Sequence, residues 1–376
     1  MAANPLLELH KAGQSFWYDN ISRGLINSGD LKQLITQDGV RGITSNPSIF
    51  HKAIKDGTGY DEQLSELFKY TALSSKEILY KLEIADIATA ADMLLPIYEA
   101  SNGVDGYVSM EVDPRFAHDS EKTISEAREL AKLIARPNIM IKVPATKNGL
   151  QAITQLTAEG FNVNVTLLFS VERYAEVANA YLDGLNKRLD AGKAIDSIAS
   201  VASFFISRID TAVDKILDNR IEHALNDAEK EWAQSLKGKA AISSAKAAFQ
   251  VMILLFSSER FIELKHKGGK MQRLLWASTS TKNPAYPDCL YVDSLIGPNT
   301  INTMPVDTVK AFKDHGKVLR TIDSDLKAVE DTLDSLAELN INIETITQTL
   351  EDDGVKLFID AFDALLNLIE DKRKNH

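Results

Sequence analysis

Short apolar segments alternate along this chain with longer segments whose apolar positions recur at helical spacing. The short segments, which read as strands, are Ser15–Tyr18, Gly42–Thr44, Gly106–Met110, Ile139–Val143, Val163–Leu168, Ile198–Phe204, Arg273–Ala277 and Leu290–Ser294. Continuous apolar runs of this length are typical of strands buried on both faces, as in a parallel sheet covered by helices. A count of eight favours a closed (β/α)8 barrel of the TIM type over an open α/β sheet.

Several of the predicted helices carry capping residues at their ends. Ser74 and Glu77 fit a capping box at the start of one helix, and Ser170 can cap another. Pro137 and Gly160 follow two further helices, where such residues commonly end them. These helices are predicted over Ile78–Leu95, Glu121–Ala135, Leu150–Ala158 and Val171–Leu189.

Two regions exceed what a simple barrel needs. The interval between the sixth and seventh strands is too long for one helix, so we predict a helical insertion at about 213–240. The chain is helical in pattern after Gly316, which predicts a C-terminal helical extension over about 317–376. No linker rich in Pro, Gly or Ser divides the chain, so we expect one catalytic barrel domain over 1–376. The extension is predicted as three helices, Asp325–Leu339, Glu344–Glu351 and Val355–Lys374.

Composition narrows the classes of partner. Of the 376 residues, 44% are hydrophobic and 25% charged, which is ordinary for a globular protein with a large core. The net charge of −11 makes nucleic acid or an anionic membrane an improbable main partner. An anionic small substrate would need its own cluster of cations. The single cysteine, Cys289, excludes an intramolecular disulfide and a cluster of thiolate ligands, and it fits a small core residue better than a nucleophile.

Targeting and metal-binding patterns are lacking. Residues Met1–His10 show no basic region followed by a long apolar stretch, and the most apolar run, Ala248–Phe256, is too short to span a bilayer. We therefore expect a cytoplasmic protein. The seven histidines are scattered without a metal-ligand spacing, so neither a metal nor a cofactor is predicted. The composition leaves open whether the chain forms a homo-oligomer.

The segment from Asn138 to Ala145 places one lysine, Lys142, inside an apolar run. Pro137 ends the preceding helix and Pro144 closes the run, which predicts a short buried strand. Burial disfavours the charged form of a lysine, and an uncharged amine can attack a carbonyl group and form a Schiff base. On this segment alone, a strand-end lysine neutralised by a nearby carboxylate explains the pattern equally well.

Polar side chains lie at or near the C-terminal ends of seven consecutive predicted strands, which is where barrels build their active sites. Each of them taken singly has a simpler explanation, because Asp and Asn commonly cap helices or form turns and Arg often begins a solvated helix. Seven together favour a site. The candidates, in strand order, are Asp19, Asn46, Glu111, Lys142, Asn164 with Thr166, Ser203 with Arg208, and Ser278 with Lys282.

These residues, in this order, resemble the transaldolase family, in particular its longer members, over most of residues 1–310. The segment of residues 297–305 looks like the loop that follows the last strand in those longer members. The segments that carry the resemblance are Gly42–Ser48 (GITSNPS), Ser109–Pro114 (SMEVDP), Ile141–Thr146 (IKVPAT), Asn164–Ser170 (NVTLLFS) and Gly297–Pro305 (GPNTINTMP).

The resemblance implies a cofactor-free enzyme of the pentose phosphate pathway that handles sugar phosphates. Such an enzyme moves a dihydroxyacetone unit from sedoheptulose 7-phosphate to glyceraldehyde 3-phosphate, giving erythrose 4-phosphate and fructose 6-phosphate. Lys142 would form the Schiff base, Asp19 would be the general acid/base at the breaking bond, and Glu111 would act with Thr166 through a water. The residues implied for substrate binding are Asn46, Asn164 and Ser203 for hydroxyls, and Arg208 and Ser278 for the phosphate.

One position departs from the family pattern. The shorter branch carries an arginine two residues after the serine that matches Ser278, and this chain has Ser280 there. The nearest cation is Lys282, which we expect to take over part of the phosphate contact as a point charge. Arg273 and Lys246 are further candidate cations for the phosphate.

Other functions remain open from the sequence. A Schiff-base aldolase that makes or cleaves fructose 6-phosphate would use the same lysine but would release free dihydroxyacetone. A barrel phosphosugar isomerase would need no lysine imine. A non-catalytic phosphosugar-binding protein would keep the pocket without turnover. For a transferase, the intermediate enamine must be shielded from water, and we expect the C-terminal helices to help cover it.

Overall fold

A computed structural model describes residues 4–56 and 59–376, and its centre is a closed barrel of parallel strands. Each strand pairs with the next along the chain, and the last strand closes the ring against the first. The predicted (β/α)8 barrel is therefore confirmed. The strands are β1 (Gln14–Tyr18), β2 (Gly42–Ile43), β3 (Tyr107–Glu111), β4 (Ile139–Pro144), β5 (Val163–Leu168), β6 (Ser200–Phe205), β7 (Arg273–Ala277) and β8 (Thr300–Met304).

Helices surround the barrel and account for most of the remaining described residues. Two of them have the predicted starts, because Ser74 and Glu77 form the full capping box and Ser170 accepts a hydrogen bond from the Arg173 amide. The helices are α1 (Pro5–Lys11), α2 (Arg23–Asn27), α3 (Asp30–Gln37), α4 (Pro47–Asp56), α5 (Asp61–Phe68), α6 (Ser75–Ala100), α7 (Ser120–Ile134), α8 (Lys147–Glu159), α9 (Val171–Asp190), α10 (Ser207–Glu222), α11 (Asp227–Leu236), α12 (Ala240–Phe256), α13 (Glu259–His266), α14 (Leu290–Ser294), α15 (Val306–His315), α16 (Leu326–Glu338) and α17 (Ile343–Lys374), with a 3₁₀ turn over Pro114–Phe116.

The predicted eighth strand is wrong in position. Residues Leu290–Ser294 form helix α14, and β8 lies within the segment 297–305 that resembled a loop. The pattern misled because β8 has three polar residues, while α14 is the more apolar segment. Two polar side chains of β8 have hydrogen-bond partners in the fold: Thr300 donates to the Gly297 carbonyl at 2.6 Å, and Asn302 Oδ1 accepts from Thr279 at 3.0 Å.

The helical additions also differ in detail. Four helices, α10 to α13, fill the interval between β6 and β7, so helix α11 forms only the centre of this region. The segments predicted as Glu344–Glu351 and Val355–Lys374 are one continuous helix, α17. Gly354 does not break this helix. A Cβ at Gly354 would lie 3.0 Å from Leu167 Cδ2, so the missing side chain lets α17 approach β5 closely.

The N-terminal end of the barrel is closed by a buried polar network around Arg273. Its guanidinium donates to Asp105 Oδ1 at 3.0 Å, to Ser15 Oγ at 2.6 Å and to the Thr300 carbonyl at 3.0 Å. These partners belong to β1, to the residues before β3 and to β8. Arg273 begins β7, so the network links this strand to β1 and β8, the two strands that close the barrel. It lies at the end of the barrel opposite the predicted site.

Among the described residues, no single helix is long and apolar enough to cross a membrane. Helices α11 and α12 meet that length and composition only when taken together, across a bend of 53°.

Candidate active site

Glu111 and Lys142 lie side by side because β3 and β4 pair these two residues in register. The Lys142 Nζ is 3.6 Å from Glu111 Oε2 and donates a hydrogen bond of 2.9 Å to the Ser45 carbonyl. Lys142 is only 5% exposed. Lys142 is thus a buried amine with a carboxylate beside it, an arrangement that fits both a structural ion pair and a catalytic amine.

Glu111 is a buried carboxyl group at the end of β3. Burial raises the pKa of Glu111 to about 7, although the positive charge of Lys142 opposes this shift and the charge of Asp19 adds to it. Within residues 4–56 and 59–376, neither carboxylate oxygen receives a hydrogen bond. A group that is half protonated near neutral pH, close to an amine, can both accept and return a proton.

Asp19 follows β1 and shares the environment of this pair. Thr44 Oγ1 donates to Asp19 Oδ1 at 2.6 Å, and the same hydroxyl lies 2.6 Å from Thr303 Oγ1 on β8. Burial raises the pKa of Asp19, while the Thr44 hydrogen bond and the charge of Lys142 lower it. The charge of Lys142 acts on both carboxyl groups, yet their surroundings differ, which allows them to hold different protonation states.

A chain of hydrogen bonds crosses the barrel beside Lys142. Ser203 Oγ on β6 donates to Asn164 Oδ1 on β5 at 2.7 Å, and Asn164 Nδ2 donates to Ser109 Oγ on β3 at 2.9 Å. Lys142 and Asn164 are partners in register on neighbouring strands. Ser109 was not predicted, although its spacing of two from Glu111 on one strand indicates a shared face.

Strand β5 is irregular next to the predicted residue Thr166. Its register with β6 shifts between Val165 and Leu168, and Leu167 has a left-handed backbone with φ of 57°. Irregularities of this kind redirect side chains at functional ends of strands. The Thr166 hydroxyl is buried without a hydrogen-bond partner in the part of the chain that the structure describes, so it is available to a ligand or water.

Asn46 has both roles considered for it. Its Oδ1 accepts a hydrogen bond from the Ile49 amide at 3.0 Å at the start of α4, so it acts as a cap. It also lines a cleft of about 700 Å³ together with Asp19, Ser280 and Lys282. The cleft therefore connects Lys282, a candidate cation for the phosphate, with Asp19, the candidate general acid/base.

Two predicted cations, Arg208 and Lys282, lie near each other beside this cleft. Burial lowers the pKa of Lys282, and the charge of Arg208 lowers it further; burial alone lowers the pKa of Arg208. Carboxylates of the described chain do not contribute to either shift. Ser278, which has a φ of 56°, lies 3.0 Å from Ser207 at the N-terminus of α10 through its hydroxyl. The N-terminus of α10 and the cations Arg208 and Lys282 together make this corner of the cleft suited to binding an anion.

Helix α17 covers the mouth of the barrel. The ring of Phe358 is centred 5.9 Å from the Lys142 Nζ, and Gly354, one turn earlier, faces Leu167 and Arg208. Phe358 is 6% exposed. The sequence indicated a covering role for the C-terminal helices but gave no signal for this residue, because contact with Lys142 depends on how α17 packs.

Two further cations are not part of the site. Arg273 begins β7 and is bound in the network at the opposite end of the barrel. Lys246 on α12 donates to the Ser324 carbonyl at 2.9 Å. The suggestion that Arg273 shares the phosphate is therefore wrong, because Arg273 lies at the start of β7 and the candidate site lies at the C-terminal ends of the strands. Lys246 is held by the chain segment before α16.

Comparison with known proteins shows the family of this chain. The family model described as Transaldolase/Fructose-6-phosphate aldolase matches residues 16–369. Among similar proteins are "Transaldolase" of Trichodesmium erythraeum (strain IMS101), 46% identical over 100% of this chain and 99% of the relative, and "Transaldolase 2" of Nostoc punctiforme (strain ATCC 29133 / PCC 73102), 47% identical with the same coverage. "Transaldolase" of Thermobifida fusca (strain YX) is 45% identical over 99% of both chains. The resemblance found in the sequence is confirmed, and this chain belongs to the transaldolase/fructose-6-phosphate aldolase family.

Proposed function

We propose that this protein is a transaldolase, a transferase that moves a dihydroxyacetone unit between sugar phosphates through a Schiff base on Lys142. The donor would be sedoheptulose 7-phosphate and the acceptor glyceraldehyde 3-phosphate, as in the pentose phosphate pathway of the cytoplasm. The observation that carries the proposal is the buried amine of Lys142 beside Glu111, whose pKa is about 7. The names of relatives 45–47% identical over nearly the whole chain support it.

The first step needs one proton shared by Lys142 and Glu111. With the proton on Glu111, the uncharged amine attacks the ketose carbonyl and forms a carbinolamine. Glu111, acting with Thr166 through a water, then protonates the departing hydroxyl, which leaves as water and gives a protonated imine. Hydrolysis of the product imine runs the same proton transfers in reverse.

Carbon–carbon cleavage follows from the positive charge of that imine. Asp19 takes the proton of the hydroxyl on the departing aldehyde, the bond next to it breaks, and its electron pair moves into the imine to form an enamine. The first aldehyde leaves, the acceptor aldehyde enters, and Asp19 returns its proton as the new bond forms. No redox step or cofactor is required by this sequence of steps.

The remaining predicted residues suit binding. Asn164 and Ser203 lie in the hydrogen-bonded row beside Lys142, and we assign them, with Asn46, to the hydroxyls of the dihydroxyacetone unit. Arg208 and Lys282 with Ser278 would bind the phosphate, since all three lie at the outer cationic corner.

Trapping the imine tests the proposal. Incubation with fructose 6-phosphate and borohydride should attach one three-carbon unit to Lys142, detected by mass spectrometry of peptides. Lys142→Ala should lose both the adduct and the transfer activity, whereas Lys52→Ala, which changes another lysine lining the cleft, should keep the adduct. A wild-type enzyme that turns over without any adduct would contradict the Schiff-base mechanism.

A second function is favoured by the family model itself, which covers fructose-6-phosphate aldolases. An aldolase would release free dihydroxyacetone from fructose 6-phosphate without an acceptor aldehyde. Measuring released dihydroxyacetone against transferred product separates the two. Turnover that proceeds only with an acceptor supports the transferase, and binding without turnover would indicate a phosphosugar-binding protein.

A further inference from the structure

Three metal-ligating side chains that the proposed reaction does not use converge on the outside of the barrel. Asp288 and Cys289 precede α14, and His315 ends α15. One carboxylate oxygen, one thiol sulfur and one imidazole nitrogen lie within 4.8 Å of one another. We propose that these three side chains bind one divalent transition-metal ion, and that zinc is the ion that suits them best.

The distances between the ligand atoms lie on either side of the edge length of a zinc tetrahedron. The Sγ of Cys289 is 3.8 Å from His315 Nε2, and that nitrogen is 2.8 Å from Asp288 Oδ1. A tetrahedron with zinc–sulfur bonds of about 2.3 Å and zinc–nitrogen and zinc–oxygen bonds of about 2.0–2.1 Å has edges of about 3.4–3.5 Å. Small side-chain rotations therefore bring all three atoms into the first coordination shell.

The surroundings of the three ligands differ in a way that suits a metal. Cys289 is 2% exposed and packs in an apolar cluster with Val292 and Phe312, so its sulfur is fixed from the protein side. The side chains of Asp288 and His315 are 60% and 51% exposed. An ion held between them is reached from solvent, and water can occupy the fourth position.

A second carboxylate orients the histidine. Asp314 Oδ2 is 3.1 Å from His315 Nδ1, so when Nε2 binds a metal the other ring nitrogen can donate its proton to Asp314. This carboxylate–histidine arrangement fixes the tautomer in which Nε2 is a ligand. Asp288 and Asp314, which are both exposed, thus lie on opposite sides of the imidazole ring of His315.

Proton balance is consistent with metal binding. The three side chains supply a thiol, an imidazole and a carboxylate, and a dication between them offsets the negative charge that a thiolate would add next to Asp288. Binding forms the metal–sulfur, metal–nitrogen and metal–oxygen bonds and releases the thiol proton, with any proton on His315, to solvent. The mixed sulfur, nitrogen and oxygen set favours zinc over Mg²⁺ or Ca²⁺.

The effect of the ion would be structural. It would join the connection between β7 and β8 to the C-terminal end of α15. Because α15 has 10 residues and starts directly after β8, His315 lies about 15 Å along this helix from the barrel mouth. Loss of the metal should therefore leave the reaction at Lys142 unchanged.

Cobalt substitution tests the site on the full-length protein after removal of metals by a chelator. We expect one Co²⁺ per chain, with a thiolate-to-cobalt charge-transfer band that one equivalent of Zn²⁺ removes. Cys289→Ser should abolish the band, and Asp314→Asn should weaken binding by about 10–100-fold. His266→Gln, which changes an exposed histidine at the end of α13, should leave the band and the affinity unchanged.

The outcomes separate this proposal from the enzymatic one. A missing band, or a band that persists in Cys289→Ser, overturns the metal site whether or not the protein is a transaldolase. Because Cys289 is buried and its replacement can reduce folding, His315→Gln provides a second measurement: zinc should raise the melting temperature of the wild type and not of this variant. An equal zinc effect in both proteins would also contradict the site.

Discussion

At the scale of single residues, the proposed chemistry depends on proton transfer between Lys142 and the neighbouring Glu111. The sequence marked both as polar residues on or just after predicted strands, and the resemblance to the transaldolase family implied their catalytic roles. Their separation of 3.6 Å depends on pairing between β3 and β4, and burial in the folded barrel raises the pKa of Glu111 against the opposing charge of Lys142. Which residues catalyse the reaction remains a prediction that needs kinetic tests.

The pH dependence of kcat/KM tests the role of Glu111. Below a pH of about 7 the Glu111 carboxyl is protonated and cannot accept a proton from Lys142, so kcat/KM should fall about tenfold per pH unit. Glu111→Gln should lower the rate by ~10²–10⁴-fold and remove the bend near pH 7. Glu99→Gln, at an exposed position of α6, should keep both rate and bend. A bend that persists in Glu111→Gln would assign it to another group.

The phosphate contact of Lys282 can be tested by comparing substrates. Lys282→Ala removes a charge-assisted hydrogen bond worth ~1.5–3 kcal/mol, so KM for phosphorylated substrates should rise by about 10–100-fold. Unphosphorylated glyceraldehyde as acceptor should be affected little. Lys55→Ala, at an exposed position of α4, serves as the control. Equal losses with phosphorylated and unphosphorylated acceptors would place the lysine elsewhere in the mechanism.

At the scale of secondary-structure elements, the packing of helix α17 over Lys142 bears most directly on the proposed reaction. The sequence divided it at Gly354, yet the helix continues and uses that glycine to pack against β5. This close approach brings Phe358 over Lys142. A cover of this kind would protect the enamine from protonation by water while the aldehydes exchange.

Phe358→Ala tests that cover. Opening the mouth should increase the release of free dihydroxyacetone relative to transfer, because water reaches the enamine. The ratio of the two products does not depend on how much protein is folded. It therefore stays interpretable even though removal of the phenyl ring can lower the free energy of unfolding by ~3–5 kcal/mol. Leu357→Ala, at the exposed neighbouring position, should leave the ratio unchanged. Truncation after Gly354 should have the same effect, and unchanged ratios in both forms would exclude a role for α17.

At the scale of the whole molecule, the two ends of the barrel carry different groups of polar residues. The C-terminal ends of the strands carry the cleft and the candidate chemistry, while the N-terminal ends carry the Arg273 network that joins β1, β7 and β8. Arg273, which the sequence offered as a further cation for the phosphate, thus lies at the opposite end of the barrel from the candidate site. That residues 1–376 form one domain stays a prediction.

Unfolding experiments on Arg273 test this division. Arg273→Met leaves the buried Asp105 carboxylate without its ion pair, so the free energy of unfolding measured with urea should fall by ~3–5 kcal/mol. The folded fraction should retain its kcat, because the site lies at the other end. Arg260→Met, which breaks the exposed pair with Asp183, should cost only ~0–1 kcal/mol. A loss of kcat with unchanged stability would place Arg273 in the active site after all.

Local patterns were sufficient for much of the architecture. Apolar runs found seven of the eight strands, since a strand buried on both faces is apolar along its length. Capping residues located helix starts such as Ser74 and Ser170, because capping hydrogen bonds form within one turn. The site candidates followed from one rule of barrels, that polar residues at the C-terminal ends of strands meet.

The sequence by itself therefore determined the fold class, the family and the ring of candidate site residues, because each is written in short-range patterns. Only the tertiary structure decided that β8 is Thr300–Met304, because Asn302 and Thr303 have partners, Thr279 and Thr44, that follow the distant strands β7 and β2. The same holds for Phe358 above Lys142 and for Cys289 beside His315, 26 positions apart. Contacts between distant segments depend on how the elements pack, and no local spacing records them.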